Sequence, residues 1–311
     1  MRRFLLALTG LALIGAAGFL IATDPAFFRL LRGSSPVAPA GAADPANGRT
    51  LFIAGGCASC HATPGQSDRL KLGGGLPMHT PFGTFYVPNL SPHPRDGIGS
   101  WTPDQFIISM REGVAPDGSH YYPAFPYTSF QRMGGKDLAD LFAYIKSLAP
   151  VEGRAPAHEI GFPFNIRRSL GGWKLLHLDG KLQQAVAGKS PEWNRGAYLV
   201  DGPGHCAECH SPRNPLGGIV TAKRFGGGPD PEGRGTVPNI TPHKDGIGAW
   251  TKQEHALFLK TGETPGFLTV GGSMGSVIKN MAELSDADRL AMGEYLATLP
   301  PVAGRPVAAK K

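Results

Sequence analysis

The four cysteines of this 311-residue chain all fall in two short strings, "GGCASCHATPG" from Gly55 to Gly65 and "GHCAECHSPRN" from Gly204 to Asn214. Each string places two cysteines, Cys57 and Cys60 or Cys206 and Cys209, across two small or polar residues. A histidine, His61 or His210, follows directly. Four chemistries compete for that pattern. Structural zinc needs four ligands about one ion, and a histidine adjoining a cysteine fits a single tetrahedron poorly. A thioredoxin-type redox pair belongs on the strand-to-helix turn of a βαβ unit, and no such setting surrounds either string. A disulfide across two residues leaves the histidine without a role. In c-type haem attachment, both thiols form thioethers to the haem vinyl groups and the next histidine lies beneath the iron. That reading uses every residue of both strings. It implies two covalently bound haem c groups, haem 1 on Cys57, Cys60 and His61, and haem 2 on Cys206, Cys209 and His210.

The sixth iron position must come from further along each string's own segment. In "VGGSMGSV", Val270 to Val277, Met274 sits in a glycine-rich loop ahead of the last helix, where the backbone can bring a thioether to the iron. Met281 and Met292 fall on helical, core-facing patterns in which methionine is filler. A His/Met pair raises the reduction potential relative to two histidines. The first segment reads "GSHYYPAFPYTSFQRM" at the same place, Gly118 to Met133, with Phe125 nearest the Met274 position and unable to ligate. Haem 1 is therefore expected either to take His120 or to lack a strong sixth ligand. His79 is a further histidine of that segment, and a surface or propionate-contacting role stands beside ligation for both. Trp101 and Trp250 are placed to donate an indole N–H to a haem propionate or simply to pack. Arg213, just past the second string, would pair with a propionate or lie in solvent. His93 and His243 are read as exposed, and Met133 as core.

These residues belong to a tandem duplication. Cys57, Trp101 and Tyr144 recur as Cys206, Trp250 and Tyr295 at nearly unchanged intervals. "VPNLSPHPRDGIGSWTPDQF" from Val87 parallels "VPNITPHKDGIGAWTKQEH" from Val237, and "KDLADLFAYIKSLAPV" parallels "ADRLAMGEYLATLPPV". Each copy opens on a short helical pattern before its cysteines and continues through a Gly/Pro-rich stretch. A helix then starts behind Thr102 or Thr251 as N-cap, and the last helix ends at Pro150 or Pro300. The fold class is mainly α, with strands barely indicated: two tandem, loop-rich domains, each around one covalent haem. The boundaries are 1–30 for a signal or membrane anchor, 31–44 for a linker, 45–151 and 193–302 for the two domains, and 303–311 for a disordered tail. The join, 152–192, is too rich in apolar and aromatic residues for a floppy tether and is expected to pack across both domains.

The bulk composition agrees with small loop-rich domains, since 44 Gly and 29 Pro are well above ordinary usage. The formal charge of +7 is spread along the chain rather than gathered into the dense Lys/Arg runs that track nucleic acid, which is excluded as a partner. At the N-terminus, Arg2 and Arg3 precede an uncharged apolar run from Phe4 to Ala22. That is nearer the length of a membrane-spanning helix than of a cleaved signal. The positive-inside rule then places the rest of the chain outside the cytoplasm. An uncleaved anchor with the body outside the cytoplasm is the first reading; cleavage near "AGAAD", Ala40 to Asp44, giving a soluble form, is the second.

"PNITPHKDGIGAWT", "YYPAFPYTSF", "CAECHSPRN" and the closing "YLATLPPV" together resemble the cytochrome c subunits of membrane-bound periplasmic dehydrogenases, the gluconate 2-dehydrogenase and alcohol dehydrogenase subunits. The resemblance covers nearly everything from Asn47 to Val302. It implies an electron carrier in which a partner dehydrogenase subunit is the donor and membrane quinone or a terminal oxidase the acceptor. The resemblance does not name a substrate. Those subunits usually carry three haems where this chain has cysteines for two, and a Met in the "YPAMPY" loop where this chain has Phe125. The expected function is a membrane-anchored dihaem relay from a periplasmic dehydrogenase to the respiratory chain, more an electron-transfer subunit than an enzyme. The alternative is a dihaem enzyme, thiosulfate dehydrogenase-like or peroxidase-like, acting at an open or weakly ligated haem 1.

Overall fold

The two copies of the repeat each build a hydrophobic core of their own, and the cores touch along one helix. This computed structural model describes residues 1–33, 41–231, 235–248 and 250–304. Most of the expected tail and part of the expected linker lie outside them. An apolar helix, α1 (Arg2–Ala22), and a short one, α2 (Pro25–Arg32), precede the first copy. That copy runs α3 (Pro45–Ala54), α4 (Cys57–His61), a hairpin β1 (Pro77–Thr80) and β2 (Gly83–Tyr86), then α5 (Pro103–Glu112), α6 (Tyr127–Phe130) and α7 (Gly135–Lys146). The join contributes β3 (Glu159–Ile160) and α8 (Leu170–His177). The second copy runs α9 (Pro191–Asp201), α10 (Ala207–His210), the strand pair β4 (Gly228–Pro229) and β5 (Thr236–Val237), α11 (Lys252–Thr261), α12 (Gly272–Met281) and α13 (Asp286–Leu296).

The helices begin where their caps say they should. Thr102 and Thr251 each accept from the backbone N–H three residues on, while Gln105 or Glu254 reaches back to the cap's own N–H, a closed capping box in both copies. Inside each copy the first helix crosses the last at a glycine. A Cβ on Gly48 would stand 2.0 Å from the Asp140 carbonyl oxygen, and one on Gly196 1.8 Å from that of Ala291. Only glycine permits the crossing at that distance. Leu51 and Phe52 then enter the first core beside Leu138, Leu141 and Ile145. Leu199 and Val200 enter the second beside Met292 and Leu296.

α3 belongs to both cores, because Ile53 and Ala54 pack among the residues of the second. Tyr198 packs against both and donates its phenol O–H to Asp137 on α7. The strands are more than the sequence indicated but still short: β1, β2 and β3 form one antiparallel sheet, with β3 supplied by the join. α8 reaches both copies. Lys174 donates to the Gly113 carbonyl at 2.7 Å in the first, and Trp173 Nε1 to the Leu216 carbonyl at 2.8 Å in the second. α1 is 21 residues long, has a mean hydropathy of 2.4 over its most apolar 18 residues and has no buried residue, so by length and composition it can cross a membrane.

Candidate haem-attachment sites

Each Cys-x-x-Cys-His string is wound into a single helical turn, which sets both thiols on one side with the histidine just beyond. The two histidines are held alike. His61 Nδ1 donates to the Pro88 carbonyl at 2.9 Å, and His210 Nδ1 to the Pro238 carbonyl at 2.8 Å. Placing the proton on Nδ1 leaves Nε2 as the basic nitrogen, the tautomer that a metal-binding imidazole needs. A second clamp fixes the main chain. Gly74 and Gly227 donate their N–H to the carbonyls of His61 and His210, at 2.9 and 2.8 Å. Both glycines have left-handed φ, 69° and 72°, and a Cβ on either would come within 2.6 Å of the Pro88 or Pro238 segment. Asn89 and Asn239 tie those segments down, donating to the Val151 and Val302 carbonyls at 2.7 Å.

The repeated "VPN" is thus a device: the proline carbonyl orients the histidine and the asparagine pins the proline. Sequence reading passed over it because a main-chain acceptor shows no side-chain chemistry. Its signal was the recurrence of "VPN" and of the glycine triplets in both copies. Burial pushes the Cys57 and Cys206 thiols up to about 12, so both are protonated at neutral pH, unlike a metal-bound or catalytic thiolate. Burial also holds the His61 and His210 imidazoles below their ordinary value, with the proline carbonyls opposing it. No disulfide joins the cysteines. Among the described residues no three His, Cys, Asp or Glu side chains converge as a zinc site would require. A covalently held haem, with a neutral oriented imidazole beneath the iron, fits both sites.

The two strings touch. His205, directly before Cys206, has a left-handed φ of 39° and donates Nε2–H to the Gly55 carbonyl at 3.2 Å. Asn280 on α12 donates to Ser59, between the first pair of cysteines, at 2.8 Å, and accepts from Arg69 at 2.6 Å. Glu208, between the second pair, is buried and accepts from the hydroxyls of Thr128 and Ser129 in the first copy, at 2.5 and 2.8 Å. Burial opposes its ionisation, but Arg213 and the two hydroxyls outweigh that and hold its carboxyl below the ordinary range.

Several expected roles change at this level. Arg213 is half-buried rather than free in solvent; its guanidinium grips Glu208 at 2.8 Å and the Gly217 carbonyl at 2.8 Å. His120 is buried with both ring nitrogens engaged, Nε2–H donating to the Thr23 carbonyl at 2.8 Å and Nδ1 accepting from Lys174 at 2.9 Å. Ligation through it would break both bonds. His79 lies on β1 with Nδ1 against Thr84 Oγ1 at 3.2 Å. Met274 is not in a loop but in the first turn of α12, half-buried. It shares a helix face with Val277 and Met281, which pack on the core that Cys206 also touches. Phe125 packs with Cys57 against the first core. Trp101 packs on that core as well, and Trp250 meets the rings of His255 and Phe258 at 5.5 and 5.4 Å. His93 and His243 are half-buried, each accepting from a backbone N–H of its own loop, those of Asp96 and Asp245. Met133, Met281 and Met292 are core residues.

A family model described as cytochrome c matches residues 45–149. A protein named diheme cytochrome c-type from Cereibacter sphaeroides is 45% identical over 97% of this chain and 100% of its own length. The fructose dehydrogenase cytochrome subunit of Gluconobacter japonicus is 38% identical over 81% of this chain and 52% of its own length. The gluconate 2-dehydrogenase cytochrome c subunit of Pantoea cypripedii is 34% identical over 81% of this chain and 58% of its own length. With strings shaped for covalent haem and a full-length relative of that kind, the chain belongs to the diheme c-type cytochromes, a group homologous to the cytochrome subunits of fructose, gluconate 2- and alcohol dehydrogenases.

Proposed function

We propose that the chain carries two haem c groups, one on each string, and relays single electrons from a dehydrogenase subunit to the respiratory chain at the periplasmic face of the inner membrane, held there by α1. When bound, each haem supplies one-electron Fe(III)/Fe(II) chemistry. The chain's own residues do the rest: His61 and His210 present a fixed Nε2, and Pro88 and Pro238 hold their tautomers. The observation that carries the reading is the direct contact of the two strings through His205 and Gly55, beside which Asn280 on α12 of the second copy donates to Ser59 of the first string. A relay needs its two centres adjacent and rigidly spaced, and the first of these bonds joins the attachment segments themselves.

Met274 is the sixth ligand of haem 2 in this proposal, supported by its place on the face of α12 that meets the Cys206 core. Haem 1 would receive no strong sixth ligand on this reading, since His120 is engaged with Thr23 and Lys174 and position 125 is phenylalanine. Donor and acceptor are a partner dehydrogenase and quinone or a terminal oxidase, in keeping with the names of the relatives. A potentiometric titration of the holo-protein followed by EPR and optical spectroscopy, repeated under carbon monoxide, tests this. Two one-electron steps are expected, with a low-spin haem 2 and carbon monoxide taken up at haem 1 alone. A single step of one haem's amplitude removes the relay. The engagement of His120 also favours a second reading, an enzyme acting at an open haem 1; turnover of peroxide or thiosulfate would select it.

A further inference from the structure

α2 is turned inside out for a helix facing water. Phe28 reaches inward to Tyr127 and Leu178. Arg29 also turns inward, to pair with the buried carboxylate of Glu112 at 2.7 Å, and Arg32 donates to the Leu175 carbonyl at 3.1 Å. The outward face is Ala26, Phe27, Leu30 and Leu31, with Leu30 78% and Leu31 57% exposed. A surface helix in water buries its apolar stripe and shows its charges; here Arg29 is paired with Glu112, Arg32 stays exposed with one bond to the Leu175 carbonyl, and the leucines are shown beside it.

The helix also begins where a membrane helix ends. Only Thr23 and Asp24 separate α1 from α2, and both are fixed: Asp24 caps α2, and the Thr23 carbonyl accepts from His120. Arg168 donates to the Leu20 carbonyl at 2.8 Å and lines, with Leu20, Ile21, Phe27 and Leu30, the apolar crook between the two helices. Next to α2, Leu176 on α8 is 72% exposed.

We propose that Phe27, Leu30, Leu31 and Leu176 form a sole that lies in the headgroup region of the bilayer, with Arg168 at the level of the lipid phosphates. Helices with one apolar face rest in that region, buried to the depth of the acyl boundary. The occupant is lipid because the face continues directly from α1, and the inference rests on reading α1 as a retained anchor. The first copy therefore stands on the membrane in one orientation rather than swinging on a tether.

The test uses the full-length holo-protein in vesicles of mixed zwitterionic and anionic phospholipid, spin-labelled at Leu31→Cys or, for comparison, at Leu257→Cys, an exposed position on α11 of the second copy. The label at 31 is expected to collide with oxygen freely and with an aqueous nickel chelate several-fold less often than the label at 257. Equal nickel access at both positions, in protein that survives an alkaline carbonate wash, overturns the sole and leaves the anchor standing. Shielding of 31 from both reagents means that protein, not lipid, covers the face, and overturns it too. Release of the protein by the wash overturns the anchor and the sole together.

Discussion

Pro88 and Pro238 contribute only a carbonyl oxygen, yet that oxygen decides which nitrogen of each histidine can meet a metal. The attachment residues were legible in the sequence because covalent attachment is local: five consecutive positions contain the whole requirement. The sixth ligand is not local, and residue type alone gave no sign that His120 would find partners on α8 and in the turn after α1. Replacing His120 with Ala should leave the haem 1 spectrum unchanged. It should still cost about 1–3 kcal/mol in denaturant unfolding, since Lys174 and the Thr23 carbonyl lose their partner. Met274→His should lower the potential of haem 2 and leave that of haem 1 in place, which a redox titration of the two signals reads directly. A shift confined to haem 1 would place the ligand in the wrong copy.

Helix positions were legible wherever a cap announced them, as at Thr102 and Thr251. α12 was not, because Gly272, Ser273 and Gly275 are poor helix formers and the helix is held by packing of Ile278 and Met281 instead. The glycines at the helix crossings carry a prediction of this scale. Gly196→Ala should destabilise the second copy by on the order of 1–3 kcal/mol, measured by thermal or denaturant unfolding, because the new Cβ meets backbone that cannot rotate away. The elbow between α1 and α2 carries another. Burial first, and the nearby Lys174 charge second, push the His120 imidazole down to about 4 from an ordinary 6.5. Between those values the unfolded chain binds more protons than the folded one, so the stability given by a neutral His120 is lost as pH falls through that window. Hydrogen exchange at α2 should quicken over the same range, and His120→Gln should flatten that dependence.

For the whole molecule, the duplication could be read from the sequence, whereas the way the copies join could not. A repeat specifies two similar units, and nothing in its periodicity says that Ile53 of one will pack into the other or that Glu208 will accept from Thr128 and Ser129. Such contacts depend on surfaces that meet only after each copy has folded. Glu208→Ala removes the acceptor for two hydroxyls and the partner of Arg213. Calorimetry of that variant should show a transition broader than the parent protein's, or split in two, while both haems stay attached. An unchanged transition would mean that α3 and Tyr198 hold the copies together without it.

The contact between the two attachment strings also has an electrostatic consequence. If each string holds its haem as proposed, oxidation of either iron would place a positive charge in the neighbourhood of the other. Like charges held in a protein interior repel more strongly than they would in water, because the effective dielectric there is lower. The first electron to arrive would then make the second less welcome, and the proposed relay would rest at intermediate potentials with one electron aboard.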